Sequence, residues 1–268
     1  MTLSKIATQY DAFIIDLWGV IHDGTALYPG VAEALASLAP KPVIFLSNAP
    51  RRAFKVEKVL DGYGIPRSHY ERIITSGEVA YEMLAQETTP KGYYYLGPSK
   101  DEDVLDDLTQ YRSVGIDEAS FVLNTGYEVD FQPHDEVKPT LQKLLARDLP
   151  LWCINPDYEV VKQDGTSMLC AGALAQEYER MGGRVIFIGK PHQNVYDAAK
   201  KHFPNDAKLL MIGDNPDTDI AGAKAAKLDS LLLTGGVLKV QHGKVLNEAE
   251  ARMICPDATH VLPAFSII

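Results

Sequence analysis

Cysteine, clustered positive charge and long apolar runs are all scarce in this chain of 268 residues, and each scarcity excludes something. The three cysteines, Cys153, Cys170 and Cys255, are odd in number and lack the paired spacing of a zinc site or a disulfide framework. They read as reduced core thiols. Lys and Arg number 26 against 36 Asp and Glu, for a formal charge of -10, and no basic stretch interleaved with aromatics offsets that balance locally. A phosphate backbone would be repelled, so nucleic acid is not an expected partner. No apolar run approaches the ~20 residues that span a bilayer, and Met1 to Tyr10 lack a basic segment followed by an apolar core. No membrane association and a cytoplasmic location are therefore expected. What is present is an ordinary globular balance, 46% apolar and 23% charged, which excludes a disordered or fibrous chain and leaves function open.

Short runs of Ile, Val, Phe and Leu recur between longer amphipathic stretches. Phe13-Ile14-Ile15, Val43 to Leu46, Val185 to Ile188 and Leu209 to Ile212 are apolar throughout, and Ser230 to Leu233 nearly so, the pattern of strands covered on both faces. Between them Val31 to Leu38, Arg51 to Tyr63, Asn194 to His202 and Thr218 to Ala226 carry apolar residues at helical spacing. This predicts an α/β fold, a Rossmann-like parallel-sheet core built from right-handed βαβ units. The middle section alternates on its own account, with Tyr93 to Leu96, Phe121 to Leu123 and Leu151 to Ile154 as strands. A smaller α/β cap domain over 80–180, inserted into a core formed by 1–79 and 181–268, is expected, with Ser76-Gly77 and Gly182-Gly183 as hinges. Tyr93 to Tyr95, Tyr127 and Trp152 read more readily as core than as ring-stacking residues.

In an open parallel sheet, ligands bind beyond the carboxyl ends of the strands, so the residue after each apolar run is the informative one. Asp16 follows Ile14-Ile15, Ser47-Asn48 follow Phe45-Leu46, Lys190 follows Ile188-Gly189, and Asp214 follows Ile212-Gly213 with Asp217 and Asp219 close behind. Singly, an Asp here is often a helix N-cap, Ser47-Asn48 and Asp214-Asn215-Pro216 are turn sequences, and Lys190 is a solvated charge. Together they place polar groups at four strand ends in order. Clustered carboxylates stay ionised cheaply only around a cation, and oxygen ligands favour magnesium over zinc. A phosphoryl group bound there meets the metal, Lys190 and the Ser47 and Asn48 donors, leaving Asp16 to attack phosphorus.

Asp16-Leu17-Trp18-Gly19-Val20, Leu46-Ser47-Asn48, Gly189-Lys190-Pro191 and the stretch Gly213 to Asp219 resemble the four ordered signatures of haloacid dehalogenase superfamily hydrolases. The spacing resembles class IIA, the subgroup with a large α/β cap between the second and third signatures, which holds the NagD-type and pyridoxal phosphate phosphatases. The resemblance implies a Mg²⁺-dependent phosphatase of a small phosphorylated metabolite, such as a sugar phosphate, nucleotide or cofactor phosphate, working through an aspartyl-phosphate. It implies Asp16 as nucleophile and metal ligand, with the Trp18 backbone carbonyl, Asp214 and Asp219 completing the metal site. Ser47, Asn48 and Lys190 then hold phosphate. Asn155-Pro156-Asp157 resembles the cap segment that faces the site, making Asp157 a substrate contact. A large cap implies a small substrate, and the resemblance admits a homodimer.

One position departs from the pattern. Phosphatases of this family carry a second Asp, the general acid, two residues after the nucleophile, and here Trp18 stands there. An indole cannot serve, and the loss removes an effect worth ~10²–10⁴-fold in rate. Three readings follow: a phosphatase whose substrate has a good leaving group or whose proton comes from His22 or Asp23; a phosphometabolite-binding protein with little catalysis; or a dehalogenase, since haloacid dehalogenases proper carry an aromatic at this place. The last use no metal, whereas the Asp214 to Asp219 signature is intact here.

Overall fold

The structure is a computed structural model that describes residues 2–89, 91–129, 133–161 and 165–267. In chain order its strands are β1 (Ala12–Ile15), β2 (Val43–Ser47), β3 (Arg72–Thr75), β4 (Lys91–Leu96), β5 (Tyr111–Ser113), β6 (Phe121–Asn124), β7 (Leu151–Cys153), β8 (Glu159–Val161), β9 (Ser167–Leu169), β10 (Val185–Phe187), β11 (Leu209–Gly213), β12 (Asp229–Leu233) and β13 (His260–Leu262). A six-stranded sheet runs β13-β12-β11-β1-β2-β3, parallel throughout. β1, β2 and β11 are buried along their whole length, as their uninterrupted apolar composition requires. Alternate residues serve opposite faces. Phe13, Ile15, Val43 and Phe45 pack with Val31, Leu35, Val56 and Leu60 of the helices Val31–Leu38 and Ala53–Gly62. Ile14, Ile44 and Leu46 pack with Val79, Ala80, Val195 and Tyr196 of the helices Ser76–Ala85 and Gln193–Lys200.

Strand order decides where a ligand can sit. From β1 the chain moves outward through β2 and β3; on the other side it moves outward from β11 through β12 and β13. The two directions part between β1 and β11, so a crevice opens beyond the carboxyl ends of that pair. Asp16 and Asp214 lie immediately after those two strands, and the Asp16 amide still donates to Ile212 O at 2.9 Å.

A second sheet, β10-β7-β6-β4-β5, is also parallel, and β8 and β9 form a separate antiparallel ribbon. Two expectations need correcting. Val185–Phe187 pairs with β7 in the second sheet and not with the first, so the second sheet extends past Arg180. An apolar run reports burial, not which sheet does the burying. Nor are the expected hinges linkers: Ser76 is fully buried at the start of a helix, with Gly77 packed against the backbone of Pro50. Gly182-Gly183 closes the turn after the helix Ala171–Arg180, and Gly183 lies against the Tyr178 ring. Among the described residues no helix is long and apolar enough to cross a membrane.

Candidate active site

A cavity of about 680 Å³ opens over the β1–β11 crevice, with Asp16, Ser47, Asn48, Lys190 and Asp214 on its floor and, above, residues of the β8–β9 ribbon and of the segments that follow β4, β6 and β7. All five floor residues are buried. Carboxylate oxygens of Asp16, Asp214 and Asp219 lie within 4.8 Å of one another. The Lys190 ammonium donates to Asp16 Oδ1 and, at 2.7 Å, to Asp219 Oδ1. Asp219 Oδ2 accepts the amides of Asp214 and Asn215, both at 3.1 Å, so both oxygens of Asp219 are engaged. Asp214 Oδ2 accepts the Val237 amide at 2.6 Å. Gly19 and Gly236 flank Asp214 so closely that a Cβ on either would overlap its carboxylate. The Gly235-Gly236 pair after β12 was the sequence signal for that last contact, which strand-end reasoning missed.

Three carboxylates around one ammonium leave excess negative charge, and the titration behaviour reflects it. Burial raises the Asp16 carboxyl, with Asp219 and Asp214 adding to the shift against the pull of Lys190. Burial and the neighbouring Asp219 push Asp214 up to about 7. Burial opposes the charge of Lys190, yet Asp16 and Asp219 outweigh it and hold the ammonium protonated. Hard oxygen ligands, buried and short of positive charge, are the donor set a divalent cation fits, and such an ion would reverse the shifts of both carboxyls.

Asn48 joins the two sides of the site. Its Oδ1 accepts the Lys190 amide at 2.7 Å, and its Nδ2 donates to Lys190 O at 3.0 Å and to Asp157 Oδ1 at 2.8 Å. Ser76 Oγ, expected at a hinge and not in the site, donates to Asn48 Oδ1 at 3.3 Å and so fixes the amide's orientation. Ser47 Oγ accepts the Ala49 amide at 3.2 Å, shaping the turn after β2. Burial raises the Asp157 carboxyl, with Lys190 and the Asn48 amide pulling the other way. Of the aromatic residues, Tyr127 lines the cavity, while Tyr93 and Trp152 pack around Phe121.

Trp18 lines the cavity beside Asp16. Its Nε1 donates to Val161 O at 3.1 Å, linking the loop after β1 to the ribbon. The six-membered ring lies on Gly24, where a Cβ would fall 2.5 Å from Cη2 and where φ is +84°, so Gly is required twice over. His22 and Asp23, the neighbouring polar side chains, both accept amides of the same turn. His22 Nδ1 accepts the Gly24 amide at 3.0 Å, and burial lowers its pKa to about 4 despite Asp23. Asp23 Oδ1 accepts the amides of Thr25 and Ala26 at 2.9 and 2.8 Å. Both build the turn.

Comparison with known proteins agrees with this geometry. Residues 13–109 match the family described as haloacid dehalogenase-like hydrolase, and residues 187–261 match one described as HAD-hydrolase-like. A crystal structure of a haloacid dehalogenase-like hydrolase from Brucella suis 1330 superposes with a TM-score of 0.85 at 31% identity, covering 98% of each chain. The 5'-nucleotidase YutF of Bacillus subtilis is 25% identical over 254 residues, 87% of this chain and 90% of that protein. A glycerol phosphate phosphatase from Mycobacterium tuberculosis, solved with magnesium, superposes with a TM-score of 0.73 at 20% identity, covering 99% of this chain and 77% of that one. The chain belongs to the haloacid dehalogenase-like hydrolases.

Proposed function

We propose that the protein is a Mg²⁺-dependent phosphatase of a small phosphorylated metabolite that works through an aspartyl-phosphate on Asp16. The observation that carries this reading is the convergence of Asp16, Asp214 and Asp219 around Lys190 at the floor of a cavity. Asp16, Asp214 and the Trp18 backbone carbonyl would hold the metal. Because both oxygens of Asp219 are engaged, its role in this reading is to orient Lys190 and the Asp214 turn. Bound magnesium supplies charge neutralisation of the phosphoryl oxygens.

The remaining roles fall to the chain's own groups. Lys190 and the Ser47 and Asn48 dipoles bind and orient the phosphoryl group. Asp16 attacks phosphorus in line with the leaving oxygen. Asp157, tied to Asn48, faces the substrate from the cap side. The ribbon and the segments that follow β4, β6 and β7 overhang the floor and favour a small substrate. YutF and the mycobacterial phosphatase, by their names, act on a nucleotide and a glycerol phosphate, which supports a phosphate monoester as substrate class.

The test is an assay of p-nitrophenyl phosphate and of sugar, nucleotide and cofactor phosphates with and without Mg²⁺, beside Asp16→Asn. Magnesium-dependent turnover that Asp16→Asn reduces to background is the expected result. Turnover that survives the substitution would sink the nucleophile assignment. Absence of turnover, with magnesium-dependent thermal protection by a phosphate ester, would make the protein a binder.

A further inference from the structure

The cavity's lining is mixed. Beside the ionic floor it includes Val59 of the helix Ala53–Gly62, Val160 and Leu169 of the ribbon and Val240 of the helix Val237–His242, with the charged Arg51, Lys100, Glu159 and Lys239 among them. Val59, Leu169 and Val240 are each 37% exposed although apolar. Exposed apolar side chains in the same cavity as an ionic floor offer a surface to a ligand charged at one end and apolar at the other. The Trp18 ring forms part of the wall beside the nucleophile.

Around the Trp18 turn the polar side chains are engaged in building the turn. The indole N–H is donated to Val161 O, His22 accepts the Gly24 amide through Nδ1, and Asp23 accepts two amides. A leaving oxygen near Trp18 therefore meets an aromatic surface where an acid would be needed. Such a site penalises an alcohol that must be protonated as it departs, and spares one that leaves as a stabilised anion.

We infer that the enzyme selects phosphate monoesters with an aromatic, aryloxide-type leaving group, and that Trp18 is the residue that sets this selectivity. The inference rests on the phosphatase reading above and adds the substrate class. In the first step an Asp16 oxygen bonds to phosphorus while the ester P–O bond breaks; the bonding pair leaves with the aryl oxygen, and solvent later protonates the aryloxide. In the second, water attacks the phosphorus of the aspartyl-phosphate and loses its proton to solvent. Inorganic phosphate departs, the Asp16 carboxylate is restored, and one water is consumed.

The experiment compares kcat/KM of the wild-type protein with Mg²⁺ on phenyl, naphthyl and p-nitrophenyl phosphates against glycerol 3-phosphate and glucose 6-phosphate. Aryl esters are expected to exceed alkyl esters by about 10²–10⁴-fold, the span a general acid normally contributes. Trp18→Asp is expected to raise the alkyl esters by a factor in that span and so narrow the ratio. Alkyl esters turned over within tenfold of aryl esters overturn the inference and leave the phosphatase reading intact. Alkyl turnover that Asp157→Asn selectively removes overturns it too, by revealing an acid on the cap side. Turnover of neither ester class overturns the phosphatase reading and the inference with it. The wild-type series decides the matter even where Trp18→Asp does not fold.

Discussion

Trp18 Nε1 lies 3.1 Å from Val161 O, a hydrogen bond between positions 143 apart that ties the loop after β1 to the ribbon above it. A single bond of this kind contributes about 0.5–1.5 kcal/mol net. It bridges the carboxyl edge of the first sheet and a two-stranded ribbon that is itself marginal without support.

Trp18→Phe keeps an aromatic ring and removes the donor. Amide exchange in β8 and β9 is expected to quicken about 2- to 10-fold, the equivalent of that net bond energy, with β1 and β11 unchanged. Hydrogen exchange followed by mass spectrometry reads both regions at once. Equal exchange in the variant and wild type would mean the contact does not hold the ribbon.

Lys190→Met removes the sole ammonium bonded to Asp16 and Asp219, leaving buried carboxylates uncompensated. Breaking a buried pair in this way costs about 3–5 kcal/mol. Urea unfolding in EDTA should register that loss, and saturating Mg²⁺ should recover part of it by supplying the missing positive charge. A variant as stable as wild type in EDTA would show that Lys190 is not offsetting the carboxylates.

Asp214 connects stability to pH and metal. Its carboxyl is pushed from the usual 3.8 up to about 7 in the fold, first by burial and then by Asp219. Because the folded protein holds this proton more tightly than the unfolded chain, the contribution to metal-free stability is complete below 3.8 and is lost as pH rises through about 7. Magnesium competes for the same oxygens, so its stabilising effect should grow over that window. Thermal unfolding with and without Mg²⁺ between about pH 5.5 and pH 8 measures it. A gain in Tm that is flat or falls with pH would contradict Asp214 as a ligand.

Gly236 gives Asp214 the room it needs, and Val237 next to it donates to that carboxylate at 2.6 Å. Gly236→Ala places a methyl on the carboxylate and must displace it. Mg²⁺ affinity is expected to fall about tenfold or more, equivalent to at least about 1.4 kcal/mol, the order of a disturbed ligand support. Isothermal titration checks this, and unchanged affinity would show that Asp214 moves freely or does not bind the ion.

Much of this architecture was already legible in local patterns. Phe13-Ile14-Ile15 and Leu209 to Ile212 are apolar on both faces, which requires cover on both sides and hence a parallel α/β sheet; the polar residue that follows such a run must then lie at the sheet's edge. Asp16, Ser47, Lys190 and Asp214 were identifiable on that basis, because the information is carried within a few residues of each. Local pattern reports that a residue is buried or ends a strand; it does not report its partner.

That is why Val185–Phe187 could be recognised as a strand yet assigned to the wrong sheet, and why Ser76-Gly77 looked like a hinge although it is packed against Pro50. The same limit hid the engagement of His22 and Asp23 with turn amides, the clamp on Asp214 from Val237, and the Trp18 bond to Val161. Composition and spacing thus determined the fold class and the acidic residues that meet. Tertiary structure alone decided which hydrogen-bonding atoms were already committed, since a bond forms only when the fold brings donor and acceptor within about 3 Å, and that separation is not a function of sequence spacing: Val161 reaches Trp18 from 143 positions away and Val237 reaches Asp214 from 23.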